Sequence, residues 1–202
     1  LNKELTLENG LFFPIVSGTD VKRYGKLPER QYILFPYEVS GGSAKLIEFS
    51  LLSEKYPKTA SYLLENKRRL EEREREKFRG NDWYRFGRSQ NIGIQNRIKL
   101  CVPRLVEKLH AAYDEDGTHF LDNVDVNGIT LRNGFERLDR RYLLGLLNSK
   151  LISWFFPHVS VPFRGGWFSA NRQFIERLPI RVIDFNNPKD KAVHAQIVSL
   201  VD

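Results

Sequence analysis

The sequence is poor in the residues on which most metal sites and disulfides depend. Its 202 residues contain one cysteine, four histidines and no methionine. The single Cys101 excludes an internal disulfide and a cysteine-rich zinc site, and we interpret it as a small buried apolar residue. The spacing typical of metal ligands is missing from the histidines, which are His110, His119, His158 and His194. We predict no metal site, and the low cysteine content suits a reducing cytoplasm, where we expect the protein.

Long apolar segments are missing as well. The longest apolar run, residues 143–156, is interrupted by glycine, asparagine, serine and lysine and is well short of a membrane span. No signal peptide is recognisable, so we expect no membrane partner. The last residues, 192–201, are typical of a helix without a C-cap. Together with the absence of methionine, this leads us to expect a piece of a longer protein.

Catalytic motifs are also missing. Gly41-Gly42 and Gly165-Gly166 lack the further glycines, lysine and strand-to-helix context of a nucleotide-binding loop. Asn187-Pro188-Lys189 lacks the second proline and the aromatic residue of the Asn-Pro-Pro-Tyr motif of adenine methyltransferases. Glu65-Asn66-Lys67 imitates half of a metal-dependent nuclease motif, but it lies inside a predicted charged helix. We therefore predict no catalytic residue and no cofactor in this chain, and an independent nuclease remains the least supported hypothesis.

Positive charge and arginines flanked by aromatic rings are what the sequence has in excess. Lysine and arginine number 32 against 25 aspartates and glutamates, a net charge of +7, which favours a polyanionic partner. Arg164 lies between Phe163 and Trp167, beside two glycines that let backbone approach a ligand closely. Residues 83–91 repeat this combination and add serine, glutamine and asparagine, which can bond to base edges. Two such segments indicate DNA binding.

The predicted fold is α+β, with an irregular β-rich body, a long charged helix and a C-terminal helical part. Short strands bounded by turn residues are predicted at 12–16, 32–35, 98–102 and 111–113. Pro57 starts a helix that we expect to continue to about Phe78. Asp139 is the predicted N-cap of a second helix, which ends at Pro157, and Ser169 is a candidate cap for a shorter one.

The same patterns suggest a division of the chain. We expect a recognition domain over residues 1–180, β-rich over 1–136 and helical over 137–180. Residues 181–202 would begin a further helical segment after a turn at 186–188. The tryptophans are expected in the core, with Trp167 the best exception.

Eight segments are each of modest specificity alone, but their occurrence together in this order is specific. They are 17–24, 35–37, 57–73, 83–91, 102–105, 120–124, 144–151 and 162–179. The most distinctive are Gly87-Arg88-Ser89-Gln90, Leu147-Asn148-Ser149-Lys150 and Phe163-Arg164-Gly165-Gly166. With these segments the chain resembles, over nearly its whole length, the TaqI-like C-terminal specificity domain. This is the target recognition domain of N6-adenine DNA methyltransferases and fused restriction-modification enzymes.

The resemblance implies a division of labour within a longer polypeptide. An upstream methyltransferase domain would bind S-adenosylmethionine and flip the target adenine, while this domain would read flanking bases of double-stranded DNA. The parent protein is then expected to be a site-specific adenine-N6 methyltransferase, with or without a fused type II restriction endonuclease. This chain would select the DNA sequence, and it would carry no catalytic residue.

The resemblance also suggests which residues contact DNA. Arginine suits guanine edges, and glutamine or asparagine suits adenine edges. Contacts near bases are predicted for Arg88, Gln90, Asn91 and Arg164, the last with Gly165, Gly166 and Trp167 around it. Contacts to phosphates are predicted for Lys22, Arg23, Arg104 and Arg172.

Two alternatives to base reading stay open. Ser89, Gln90 and Asn91 could hold a turn through side-chain to backbone bonds, and Arg164 could bond to carbonyl oxygens. Family members that read different DNA sequences should share residues that hold the scaffold, and differ in the residues that read bases. The segments 41–53 and 125–136 do not match the family pattern, so they could be the readers instead. The whole chain could also be a structural or partner-binding module of a restriction-modification assembly.

Overall fold

The computed structural model describes residues 4–201, which divide into two compact units. Unit 1 comprises the residues up to Phe13 together with Tyr32–Gln95, and unit 2 comprises Pro14–Gln31 together with the residues from Asn96 onward. Helices and strands occur in both units, which agrees with the predicted α+β class.

Unit 1 contains short strands around a tight hairpin. The strands are β1 (Phe12–Val16), whose last three residues belong to unit 2, β2 (Tyr32–Leu34), β3 (Tyr37–Ser40) and β4 (Ser43–Leu46). Strands β3 and β4 pair antiparallel through a turn at Gly41-Gly42, where both glycines have positive φ. A Cβ on Gly93 would lie 2.3 Å from the Gly42 carbonyl oxygen, so only glycine fits against this turn.

Four short helices follow the hairpin: α1 (Phe49–Lys55), α2 (Pro57–Glu65), α3 (Lys67–Glu71) and α4 (Arg73–Glu76). The prediction of one long charged helix from Pro57 to Phe78 is therefore wrong. Glu74, Arg75 and Glu76 have positive φ, which no continuous helix tolerates. No residue of α3 or α4 is buried, and Leu70 packs against the unit 1 core while partly exposed, so little apolar burial stabilises a continuous helix here.

The core of unit 1 is formed by residues that lie before, within and after its helices. Its buried members are Leu11, Ile47, Leu52, Ala60, Leu63, Trp83 and Tyr84. The Tyr84 hydroxyl donates to the Ile47 carbonyl, which gives this buried polar group a partner. Trp83 is therefore a core anchor, as predicted.

Unit 2 is built on a buried central strand, β5 (Lys99–Pro103). Its antiparallel neighbours are β7 (Ala112–Asp114) and β9 (Val126–Ile129). A second pairing joins β8 (Phe120–Leu121) in parallel to the end of β1. A third joins β6 (Leu105–Val106) antiparallel to β10 (Phe168–Ser169). The predicted strand at 12–16 is confirmed, and those at 32–35, 98–102 and 111–113 are confirmed within one residue at each end.

Successive residues of β5 point into two different cores, as the pleat of a strand requires. Leu100 and Val102 belong to a cluster with Leu144 and Ile152, and Cys101 belongs to a cluster with Val16 and Leu121. Burial raises the pKa of the Cys101 thiol to about 12. The interpretation of this cysteine as a small buried apolar residue is confirmed.

The helices of unit 2 are α5 (Arg140–Leu147), α6 (Lys150–Phe155), α7 (Arg172–Ile175) and α8 (Pro188–Ser199). Asp139 caps α5 by accepting from the Arg141 amide at 2.8 Å, as predicted. Asn187 caps α8 by accepting from the Lys189 amide at 2.9 Å, so the turn predicted at 186–188 does precede a helix.

The helix predicted from Asp139 to Pro157 is interrupted at Asn148 and Ser149. The buried Asn148 side chain accepts from the Ala111 amide at 2.8 Å and donates to its carbonyl at 3.0 Å. Ser149 then caps α6 through the Ile152 amide. The prediction that Ser169 caps α7 is also wrong, because Ser169 lies in β10 and Asn171 occupies the cap position.

Candidate nucleic-acid interface

Residues 161–167 form an exposed loop of unit 2, which we call the 161–167 loop. All seven residues are exposed, including Phe163 at 57% and Trp167 at 41%. The Phe163 amide donates to the Trp167 carbonyl at 2.6 Å, which closes the loop. At the base of the loop, Pro162 pairs with Phe168, and the Ser169 amide donates to the Val161 carbonyl at 3.1 Å. A fixed stem therefore holds two aromatic rings in solvent.

The turn of this loop needs its two glycines. Gly165 and Gly166 have φ values of +74° and +81°, in the region that favours glycine. A Cβ on Gly165 would lie 3.6 Å from the Trp167 ring, whereas Gly166 faces open space. The exposed Arg164 side chain has no hydrogen bond or ion pair with any residue between 4 and 201. Its guanidinium is therefore available to a ligand, and the alternative that it bonds to carbonyl oxygens is not observed.

Arg104 follows β5, and its side chain reaches the N-cap of α7, the helix that begins with Arg172. The Arg104 side chain donates to the Asn171 side chain at 2.9 Å and to the carbonyls of Asn123 and Val124 at 3.2 Å each. Arg104 therefore links two loops of unit 2. The neighbouring Arg172 side chain is 85% exposed and lies 3.6 Å from the Glu176 carboxylate, a contact that leaves most of its guanidinium in solvent.

Lys22 and Arg23 lie on a turn of unit 2, and both are exposed. The Arg23 guanidinium lies 5.3 Å from the centre of the Tyr24 ring. Tyr24 has a positive φ, and its amide donates to the Ala111 carbonyl at 3.2 Å. The buried strand region thus anchors a turn that presents a cation beside an exposed aromatic ring.

Arg88, Gln90 and Asn91 are exposed in unit 1. Asn91 has a φ of +61°, and its carbonyl accepts from the Ile94 amide at 3.2 Å. The Arg73 guanidinium positions the preceding residues by donating to the carbonyls of Trp83 and Arg85 at 2.9 and 3.0 Å. This segment therefore presents polar side chains from a loop that is held at its base.

The predicted contacts thus fall into two groups. Arg88, Gln90 and Asn91 belong to unit 1, and the other predicted residues belong to unit 2. Within unit 2 the 161–167 loop unites Arg164, Gly165, Gly166 and Trp167.

The predicted DNA contacts do not include several aromatic side chains that the structure exposes, among them Phe163, Trp154 and Tyr24. Phe163 is the most prominent, and its position directly before Arg164 in the sequence was the available signal. Trp154, expected in the core, is 66% exposed, and its ring centre lies 5.0 Å from that of His158. Tyr24 is 46% exposed beside Arg23.

One cluster of ionisable side chains is buried rather than open to a substrate. Lys99 and Asp114 are each 2% exposed, and their ammonium and carboxylate groups lie 2.5 Å apart. His119 Nδ1 lies 3.0 Å from the other Asp114 oxygen. Between residues 4 and 201, no three histidine, cysteine or acidic side chains lie close enough together to hold a metal ion. The buried cluster therefore links β5, β7 and the turn before β8.

None of the helices within residues 4–201 combines the length and apolar character that crossing a bilayer requires.

Comparison with known proteins relates the chain to a family and to a characterised enzyme. Residues 13–180 match the model of the TaqI-like C-terminal specificity domain. The chain is also 29% identical, over 185 residues, to the type II restriction enzyme and methyltransferase RM.Eco57I of Escherichia coli. That alignment covers 87% of this chain and 18% of the relative, so the chain spans less than a fifth of the relative's length. Because the family model covers most of its residues, the chain belongs to the TaqI-like C-terminal specificity domain family.

Proposed function

We propose that this chain is a sequence-specific duplex-DNA recognition domain of a restriction-modification adenine methyltransferase. Membership in a family of specificity domains supports a role in DNA recognition. The observation that carries the proposal is the 161–167 loop, where the Arg164 side chain has no protein partner and the rings of Phe163 and Trp167 are exposed. Such a loop offers a bidentate donor for a guanine edge and aromatic faces for sugars or bases.

Phosphate contacts complete the proposed surface of unit 2. Arg172 and the turn with Lys22 and Arg23 present exposed cations, which would position the duplex without reading its sequence. Arg104 has a second role here. Because its guanidinium is bound to Asn171 and to two carbonyls, it supports the loop around Asn123 in addition to any contact with a phosphate.

Unit 1 would contribute through Arg88, Gln90 and Asn91. The Arg73 hydrogen bonds hold the base of this loop, and all three side chains are exposed. Arginine and amide side chains together can distinguish guanine from adenine. The hairpin turn at Gly41-Gly42, in which Gly41 is exposed, belongs to the segment 41–53, the alternative reader in this unit.

In this proposal the chemistry belongs to an upstream methyltransferase domain of the same polypeptide. That domain would bind S-adenosylmethionine and act on the adenine, while this domain holds the duplex in register. The proposal places the protein in the cytoplasm, with DNA as its ligand and no membrane partner. The alternative function is a structural or partner-binding module of a restriction-modification assembly, which would bind no DNA even at low salt.

Selection from a library of random duplexes tests the proposal. We expect the retained duplexes to converge on a common sequence. For Arg164→Ala we expect a loss of about 1–3 kcal/mol in binding and relaxed preference at one position. Arg97→Ala, which removes an exposed arginine outside the predicted contacts, is the matched control and should retain the full preference. Retention of all duplexes equally, or of none, would rule out sequence-specific recognition.

A further inference from the structure

A concave site of unit 2 includes none of the individual residues predicted to contact DNA. It is a cavity of about 480 Å³ lined by segments 130–138 and 180–186 and by Leu143 of α5. We call it the arginine-rimmed cavity. Eight of its fourteen lining residues are aliphatic or aromatic, so its walls are chiefly apolar.

The apolar walls are open to solvent. Val182 is 73% exposed and Phe135 is 46% exposed. Exposed apolar side chains that surround a concave site are typical of a surface that another molecule covers. The cavity thus resembles a binding groove more than a packing defect.

The charges of the cavity have one sign. Its lining includes Arg132, Arg137 and Arg181 and no aspartate or glutamate. Arg181 is paired with Asp190 at 2.6 Å, and the Arg137 guanidinium lies 4.7 Å from the centre of the Phe185 ring. Within residues 4–201, Arg132 and Arg137 have no acidic partner. Two guanidinium groups therefore remain for an incoming anion.

We propose that the arginine-rimmed cavity binds an acidic segment of a partner protein, one that inserts an aliphatic or aromatic side chain between flanking carboxylates. The apolar walls match the side chain, and the guanidinium groups match the carboxylates. A nucleic acid fits less well, since its sugar-phosphate backbone would leave Val182 and the leucines of the cavity uncovered. The site shares no residue with the 161–167 loop, but its residues 130–135 lie in the segment 125–136, the alternative reader, so competition with duplex DNA is one outcome of the test.

A displayed library of random twelve-residue peptides tests the proposal. The chain is the target, and its Val182→Asp variant is the negative selection. Val182 is 73% exposed, so this change should leave the fold intact, which circular dichroism would verify. We expect the selected peptides to share an apolar residue flanked by aspartate or glutamate, and to bind Val182→Asp at least about fivefold more weakly.

Charge reversal provides the second arm of the experiment. Arg137→Glu should weaken a selected peptide by about fivefold, and a version of that peptide with lysines in place of its acids should recover binding to this variant. Peptides that are not acidic, or that bind Val182→Asp as well as the unchanged chain, would overturn the proposal. The absence of any enriched peptide would also overturn it. The same holds if duplex DNA displaces the peptide and Arg137→Glu weakens DNA binding as much as it weakens peptide binding.

Discussion

Replacing Lys99 by methionine should destabilise unit 2 strongly. The Lys99 ammonium is 2.5 Å from the Asp114 carboxylate, and both residues are 2% exposed. The variant would therefore leave a carboxylate buried without its cation. Breaking a buried pair in this way costs about 3–5 kcal/mol. For a chain of this size, that loss corresponds to a fall in Tm of about 6–20 °C.

A double variant separates the cost of the unpaired charge from the cost of losing a contact. Lys99→Met with Asp114→Leu removes both charges, and replacement of a buried pair by apolar residues is often neutral. His119 would lose its acceptor on Asp114, so we expect the double variant to stay about 1–2 kcal/mol below the unchanged chain. It should nevertheless be about 2 kcal/mol more stable than Lys99→Met alone.

Thermal and urea unfolding, followed by circular dichroism, measure these differences. Lys191→Met is the matched control, since Lys191 is exposed on α8, and it should change stability by less than about 0.5 kcal/mol. A loss below about 1 kcal/mol for Lys99→Met would refute this reasoning. So would a double variant that is no more stable than the single one.

Three other changes test separate parts of the fold. Gly93→Ala places a methyl group 2.3 Å from the Gly42 carbonyl oxygen and should cost unit 1 about 1–3 kcal/mol in urea unfolding. Desolvation opposes ionisation of Glu8, but hydrogen bonds from Lys58 and Thr59 outweigh it and hold the Glu8 pKa at about 2. Because this pKa is lowered, the Glu8 carboxylate stabilises the fold fully above the ordinary pKa of 4.5, and this stabilisation is lost as pH falls toward 2. Glu8→Gln should therefore reduce the fall of Tm between pH 4.5 and pH 2. Arg104→Met removes the donor to Asn171 and should lower the stability of unit 2 by about 1–3 kcal/mol in thermal melts.

Each of these expectations has a contradicting result. Gly41→Ala, where a Cβ meets open space but φ is positive, is the control for Gly93→Ala, and an equal loss in both would contradict the close approach. An unchanged dependence of Tm on pH in Glu8→Gln would show that the carboxylate does not stabilise α2. A melting temperature of Arg104→Met equal to that of the unchanged chain would show that its loop contacts contribute nothing.

Local sequence patterns were sufficient for the strands and for some helix ends. Phe12–Val16 was predicted exactly because its apolar residues are bounded by turn formers, and Asp139 was recognised because N-caps favour short polar side chains. The exposed turn of the 161–167 loop was also predictable, since two consecutive glycines permit positive φ. These features depend on neighbours in the chain.

The features that could not be predicted depend on residues distant in sequence. Asn148 interrupts a helix because its side chain bonds to Ala111, 37 residues away. Arg104 could be identified as a cation, but its link to Asn171 requires the folded unit. The breaks in the charged helix fall in a segment that buries no residue, and the charge pattern alone does not give their positions.

The central claim is that the 161–167 loop reads DNA, and fluorescence anisotropy tests it most directly. A duplex found by selection and a scrambled duplex of the same composition would be titrated with the unchanged chain and with Arg164→Ala at several salt concentrations. We predict that affinity falls steeply with salt for both duplexes, and that Arg164→Ala weakens the selected duplex by about 1–3 kcal/mol while nearly sparing the scrambled one. Equal weakening of both duplexes, or no binding at low salt, would contradict the claim.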